Sequence, residues 1–168
     1  MKQGTVSILI GTHSLSHTII TTIAWRQIYK RWPHLWELGC IILHDIGHYN
    51  TNYLDNYKEK KNHWKLGANI ANMLFGIKGF YLIAGHCPDY SNIKKSNLYL
   101  PDKKSRTMTP FFISMIDVLV EPKLVAPHLS RIKSIKLFKK LVTEAYLNND
   151  STQSHEIYTK LQKGDYIE

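Results

Sequence analysis

Apolar residues recur along this chain at three- and four-residue spacing between proline and glycine stops, and nowhere do they alternate over the length of a strand. That spacing gathers them on one face of a helix, so the chain reads as an all-α bundle of amphipathic helices. Ile19, Ile20, Ile23, Ala24 and Ile28 predict a helix over 12–31, which Pro33 stops. Leu35, Leu38, Ile41 and Ile42 point inward from a second helix over 34–44. Leu66, Ile70, Met73 and Leu74 do the same from a third over 64–75, which 76–79 breaks, and a short buried helix is expected at 80–86. Residues 111–120 are apolar enough for a buried helix, 129–147 predict a basic amphipathic one, and a last helix is expected from Ser151. The polar stretches 49–62 and 88–110 read as loops, and Trp25, Trp32, Trp36 and Trp64 as packing between helices.

With 168 residues, 43% hydrophobic and 21% charged, the chain reads as one ordinary globular domain over 1–168, which excludes a disordered or fibrous class. Lys and Arg outnumber Asp and Glu by 22 to 13, a balance of +9 that favours an anionic partner such as a phosphorylated metabolite, a nucleotide or nucleic acid. Cys40 lies in an apolar run and Cys87 beside His86, which speaks against a disulfide framework and for a reducing cytoplasm. The apolar stretch 6–10 is short, and the segment after it is interrupted by Ser, Thr and His with no small-residue cleavage site. Neither a membrane span nor a signal peptide is expected.

The chemistry is concentrated in the stretch Cys-Ile-Ile-Leu-His-Asp-Ile-Gly-His-Tyr, where His44 and Asp45 are consecutive. Neighbouring side chains diverge by about 100° on a helix, so this pair can share one ion only where other elements bring further ligands. Candidates stand along the chain as His13 and His17, His63, His86, and then Asp102 or Asp117. This order, centred on "LHDIGH", resembles the HD-domain superfamily of metal-dependent phosphohydrolases, and "NHWKLGANI" and "LIAGHCPDY" resemble the two intermediate histidine segments of its six-ligand, dinuclear subset. The resemblance runs from about His13 to Asp102.

That likeness implies an HD-type helical bundle holding two divalent transition metal ions (Mn, Fe, Ni, Co or Zn), with Asp45 bridging them. A hydroxide between the ions would attack the phosphate ester or anhydride of a small anionic phosphorylated substrate. For the first ligand, the "HSL" context favours His13 and the interval to His44 favours His17. Four residues apart on one helical face, both can reach the site, and the pair is also similar to the cyclic-nucleotide phosphodiesterase pattern of a general acid followed by a ligand. For the last ligand, "PDK" at Asp102 resembles the family's Ala-Asp-Lys segment, whereas Asp117 sits in an apolar helix where a lone carboxylate would be costly. His48 is placed either to protonate a leaving oxygen or to hydrogen-bond a ligand. Lys103, with Lys94, Lys95, Lys104 and Arg106, is a candidate for drawing in phosphate, and Asn52, Tyr53 and Tyr57 for a lid. Two other functions fit the same residues: a diiron oxygenase on the HD fold, as in myo-inositol oxygenase, and a metal-stabilised nucleic-acid-binding module, which only the net charge supports.

Overall fold

The structure, a computed structural model, describes residues 1–148 and 154–164, and every regular element among them is helical. The chain opens with α1 (Gln3–Ile10), a helix formed by the stretch taken above as merely apolar. The expected first helix is α2 (Leu15–Tyr29), and α3 (Leu35–Leu43) follows after Pro33. At the start of α3 the Glu37 carboxylate accepts the His34 backbone N–H at 2.7 Å and is gripped by Arg31 at 2.6 and 2.7 Å, which closes the orphan end of the helix. A single 3-10 turn covers Ile46–His48. The loop expected over 49–62 contains a short helix, α4 (Tyr57–Lys61), capped by the Asn56 side chain.

Helix α5 (Trp64–Phe75) has the expected bounds, and α6 (Ile77–Ala84) begins three residues earlier than anticipated. The second expected loop is mostly helical: α7 (Pro88–Ser91) and α8 (Tyr99–Met108) lie within it. Pro101 sits in the first turn of α8, where its missing N–H leaves no bond unmade. Helix α9 (Phe111–Val120) has the expected bounds but not the expected burial, the long α10 (Arg131–Leu147) matches expectation closely, and α11 is described over Ser154–Lys163. The expected start of this last helix at Ser151 lies outside the described residues.

Burial departs from the apolar pattern in an instructive way. The main core is Trp25, Cys40, Ile41, Trp64, Ala68, Ala71, Leu82, Ile83, Ala84, Cys87 and Leu98. Along α5 the inward positions are therefore Trp64, Gly67, Ala68 and Ala71, while Leu66, Met73 and Leu74 are exposed. Small residues allow α5 to lie close against α3 and α6, so the bulky ones are turned out. Leu35 and Ile42 on α3 and Ile19 and Ile23 on α2 are also exposed, as is Trp32. The apolar α9 lies at the edge of the bundle against α1 and α10, with only Val118 buried. Two smaller clusters, one around Val142 and Leu161 and one around Val118 and Ile135, hold the C-terminal helices. Each fully buried large side chain contributes roughly 1.5–3 kcal/mol. No single described helix is long and apolar enough to cross a membrane; α1 and α2 pass that test only as a pair bent by 58°.

Candidate metal centre

Helix ends supply the centre. His17 comes from the first turns of α2, His44 caps α3, His63 precedes α5, His86 follows α6, and Asp102 lies in the first turn of α8. The helical path ends at Asp45, whose φ of −100° and ψ of 1° depart from the helix and turn its carboxylate back beside the His44 ring. Gly47 permits the next step of this packing, since a Cβ there would lie 1.6 Å from the His63 carbonyl oxygen.

Asp45 divides the donors into two groups. Its Oδ2 stands 3.3 Å from Nε2 of both His17 and His44, and Oδ1 of Asp102 completes this first group at 3.0 Å from His17 and 3.6 Å from His44. Its Oδ1 faces the other way, 3.9 Å from Nε2 of His63 and of His86. The Cys87 sulfur lies within the same ligand spacing of His63 and His86, and burial pushes this thiol's pKa up. His13 and His48 stand over both groups with their rings 4.1 Å apart, and Nε2 of each is 3.9–4.0 Å from Asp45. His48 also stacks on His63, ring centroids 4.5 Å apart.

Hydrogen bonds orient the imidazoles. Nδ1 of His44, His63 and His86 lies 2.6, 2.6 and 2.5 Å from the carbonyl oxygen three residues earlier, which only an N–H can approach. Ser105 commits its hydroxyl proton to the Asp102 carbonyl at 2.6 Å, so Nδ1 of His17, 3.2 Å from the Ser105 oxygen, must donate as well. All four rings thus turn a proton-free Nε2 inward when neutral, and these nitrogens meet in pairs at 3.3 Å (His17 and His44) and 3.2 Å (His63 and His86). Two lone pairs at that separation repel. Oδ2 of Asp45 and Oδ1 of Asp102 are buried beside them and, while the rings are neutral, accept no hydrogen bond. A cation at each histidine pair resolves both defects, and mixed imidazole and carboxylate donors suit a divalent transition metal.

The titration properties fit the same picture. Burial depresses His44, but Asp45 and then Asp102 outweigh it and raise its pKa to about 10, so in the absence of metal its proton faces the two carboxylates. Burial also opposes ionisation of Asp45 and Asp102, yet the facing histidines hold both well below the usual carboxylate range. Burial, reinforced by neighbouring histidines, lowers His48, His86 and His63, the last to about 4. His13 is lowered by burial against the pull of Asp45.

The structure therefore brings together His13, His17, His44, Asp45, His48, His63, His86 and Asp102. Of the two possible first ligands, His17 joins the first donor group and His13 stands outside it. Asp117 is not among the ligand groups; burial raises it to about 7 against the influence of Arg106, in a separate cavity that also contains Thr109 and Phe138. Lys103 does not line the cleft either. It packs over the Tyr99 ring at 4.9 Å, in a groove with Tyr29, Lys95 and Tyr146 on the other face of α8. The cations that do line the metal cleft are Lys60 and Arg106, with Tyr90 beside them. Arg106 lies 3.8 Å from Asp45, and burial followed by the Arg106 charge lowers Lys60 to about 7. Tyr53, expected in a lid, is buried against the His13 and His48 rings, whereas Asn52 and Tyr57 are exposed. Sequence reading missed the parts played by Lys60, Cys87 and Tyr90, and proximity to a ligand was the only available signal for Cys87.

Comparison with family models, curated proteins and solved structures yields no match to this chain. Geometry alone carries the functional reading.

Proposed function

We propose that the cleft is a dinuclear metal centre of HD type that hydrolyses a phosphate ester or anhydride. The observation that carries this reading is the Asp45 carboxylate, whose two oxygens each face a different pair of histidine nitrogens. His17, His44, Asp45 and Asp102 would hold one ion, and His63, His86 and Asp45, with Cys87 in reach, the other. Bound divalent ions supply a water of lowered pKa and neutralise charge on phosphoryl oxygens.

The protein's own groups do the remainder. Lys60 and Arg106 line the same cleft and present two donors to an oxyanion, which favours a phosphorylated substrate over a neutral one. A phosphoryl group there would also favour the charged form of Lys60. The proton lost by the attacking water passes to a neutral imidazole beside it, His13 or His48, and is returned to the leaving oxygen as the phosphorus–oxygen bond breaks. The products are the alcohol or phosphate leaving group and the transferred phosphate.

The test is turnover of bis(p-nitrophenyl) phosphate and a set of nucleotides by protein loaded separately with Mn, Fe, Co, Ni and Zn. Metal-dependent release that disappears in Asp45→Ala supports the reading. Two bound ions with no turnover of any phosphate would overturn it, as would two irons with a visible charge-transfer band and dioxygen uptake.

A further inference from the structure

A chain of buried polar groups leads away from His13, and the ligand set does not account for it. Nδ1 of His13 is 2.7 Å from the Ser7 hydroxyl, Ser7 is 3.4 Å from the Tyr53 hydroxyl, and Tyr53 donates to Oε1 of Glu121 at 2.7 Å. The four residues come from α1, the 49–56 segment, the turn before α2 and the end of α9; Ser7, Tyr53 and Glu121 are 0%, 2% and 4% exposed. The other carboxylate oxygen of Glu121 accepts the Thr12 N–H at 2.8 Å and its hydroxyl at 2.7 Å. Gly11 makes room for it, because a Cβ there would meet that oxygen at 2.2 Å.

A carboxylate can only accept, so Tyr53 is the donor at the end of the chain, and one arrangement of the remaining protons carries that direction on to His13. Tyr53 gives its proton to Glu121, which leaves the phenolic oxygen as acceptor for Ser7. With the Ser7 proton so used, the Ser7 oxygen accepts from Nδ1 of His13. Every donor is then satisfied, and the aligned dipoles reinforce one another.

We propose that Ser7, Tyr53 and Glu121 are positioning residues that hold His13 as its Nδ1–H tautomer and present its Nε2 lone pair to the cleft as the proton acceptor. The proposal rests on the hydrolase reading and decides between His13 and His48. Nε2 takes a proton from the attacking water as oxygen bonds to phosphorus, and the imidazolium, steadied through the chain by Glu121, returns that proton to the leaving oxygen as its bond to phosphorus breaks. His13 is outside the group of His17, His44, Asp45 and Asp102; it lies within ligand spacing of Asp45 and His48, and its Nε2 is assigned to proton transfer instead of to an ion.

Nitrogen-15 NMR of histidine-labelled, zinc-loaded protein tests the tautomer without reference to turnover, with His13→Gln identifying the resonances. The expected result is a single Nδ1–H form in the wild type, converted to a mixture in Ser7→Ala and in Tyr53→Phe. Thr12→Val, which removes a different hydrogen bond to Glu121, should leave it unchanged. An Nε2–H form or a mixture in the wild type overturns the proposal, as does a metal-coordination shift at Nε2. In turnover, Ser7→Ala and Tyr53→Phe should lower kcat about tenfold on an alkyl phosphate ester and less than twofold on a p-nitrophenyl ester, whose leaving group needs no proton, with KM and metal content unchanged. Equal losses on both esters would mark a merely structural role. Absence of turnover would defeat the hydrolase reading while the tautomer result still stood.

Discussion

Loading the centre with metal should expel the proton held by His44. In the metal-free state the His44 proton faces Asp45 and Asp102, which raise its pKa to about 10. His63, at about 4, is already neutral at pH 7, and the two carboxylates, held low, carry no proton. The sign follows from the raised His44 pKa: its proton stabilises the metal-free fold fully below the unfolded value of about 6.5, and that contribution is lost as pH rises through about 10. A metal must displace this proton, so affinity should rise at least about tenfold per pH unit between about pH 6 and 9. Calorimetric titration with Zn or Mn in buffers of different ionisation enthalpy counts the protons directly. A proton lost by metal-bound water or by Cys87 adds equally in both proteins, so the wild type is expected to release about one proton more at pH 8 than His44→Gln does at saturating metal. Affinity independent of pH, or equal proton release from the wild type and His44→Gln, would refute the assignment of the inward-facing nitrogens.

Other consequences are simpler to check. Asp45→Ala should lower turnover by several orders of magnitude and strip metal by elemental analysis while the circular dichroism stays helical, because both donor groups lose their shared carboxylate. Asp102→Asn should cut metal affinity at least about tenfold, the scale of losses from residues that only support ligands, whereas Asp117→Asn should leave metal content near normal. Lys60→Ala should raise KM for a phosphorylated substrate about tenfold with little change in kcat, in keeping with about 1.5 kcal/mol for a hydrogen bond to a charged group. A fall in kcat alone would place Lys60 in the chemistry instead.

Legibility in the sequence divided along physical lines. The candidate ligands were readable because His44-Asp45 is a local pattern ending an apolar helix, and the remaining histidines follow in a recognisable order. Helix α8 was not, because Tyr-Leu-Pro-Asp-Lys-Lys-Ser-Arg-Thr-Met carries a proline, three cations and few apolar groups; its buried face is Tyr99, Pro101 and Ser105, without a hydrophobic stripe. The same substitution of small for large residues hid the inward face of α5, where Gly67, Ala68 and Ala71 pack and Leu66 does not. Of the choices left open, the one between His13 and His17 needed the geometry of the α1–α2 turn, which depends on Glu121 reaching Thr12. Asp117 was attractive as a lone carboxylate in an apolar helix, but α9 lies at the edge of the bundle and Asp117 faces a cavity away from the histidines. Ser7, Tyr53 and Glu121 left no sequence signal, since Tyr53 and Glu121 are 68 residues apart and the chain connecting them exists only once the bundle closes.

The most direct test of the central claim is anomalous diffraction at the metal edge from crystals of protein loaded with Mn or Zn. The account predicts two peaks about 3.5–4 Å apart, the spacing of two-metal hydrolytic sites, with the Asp45 carboxylate between them and Nε2 of His17 and His44 on one ion and of His63 and His86 on the other. A single peak, or two peaks that Asp45 does not bridge, would contradict it.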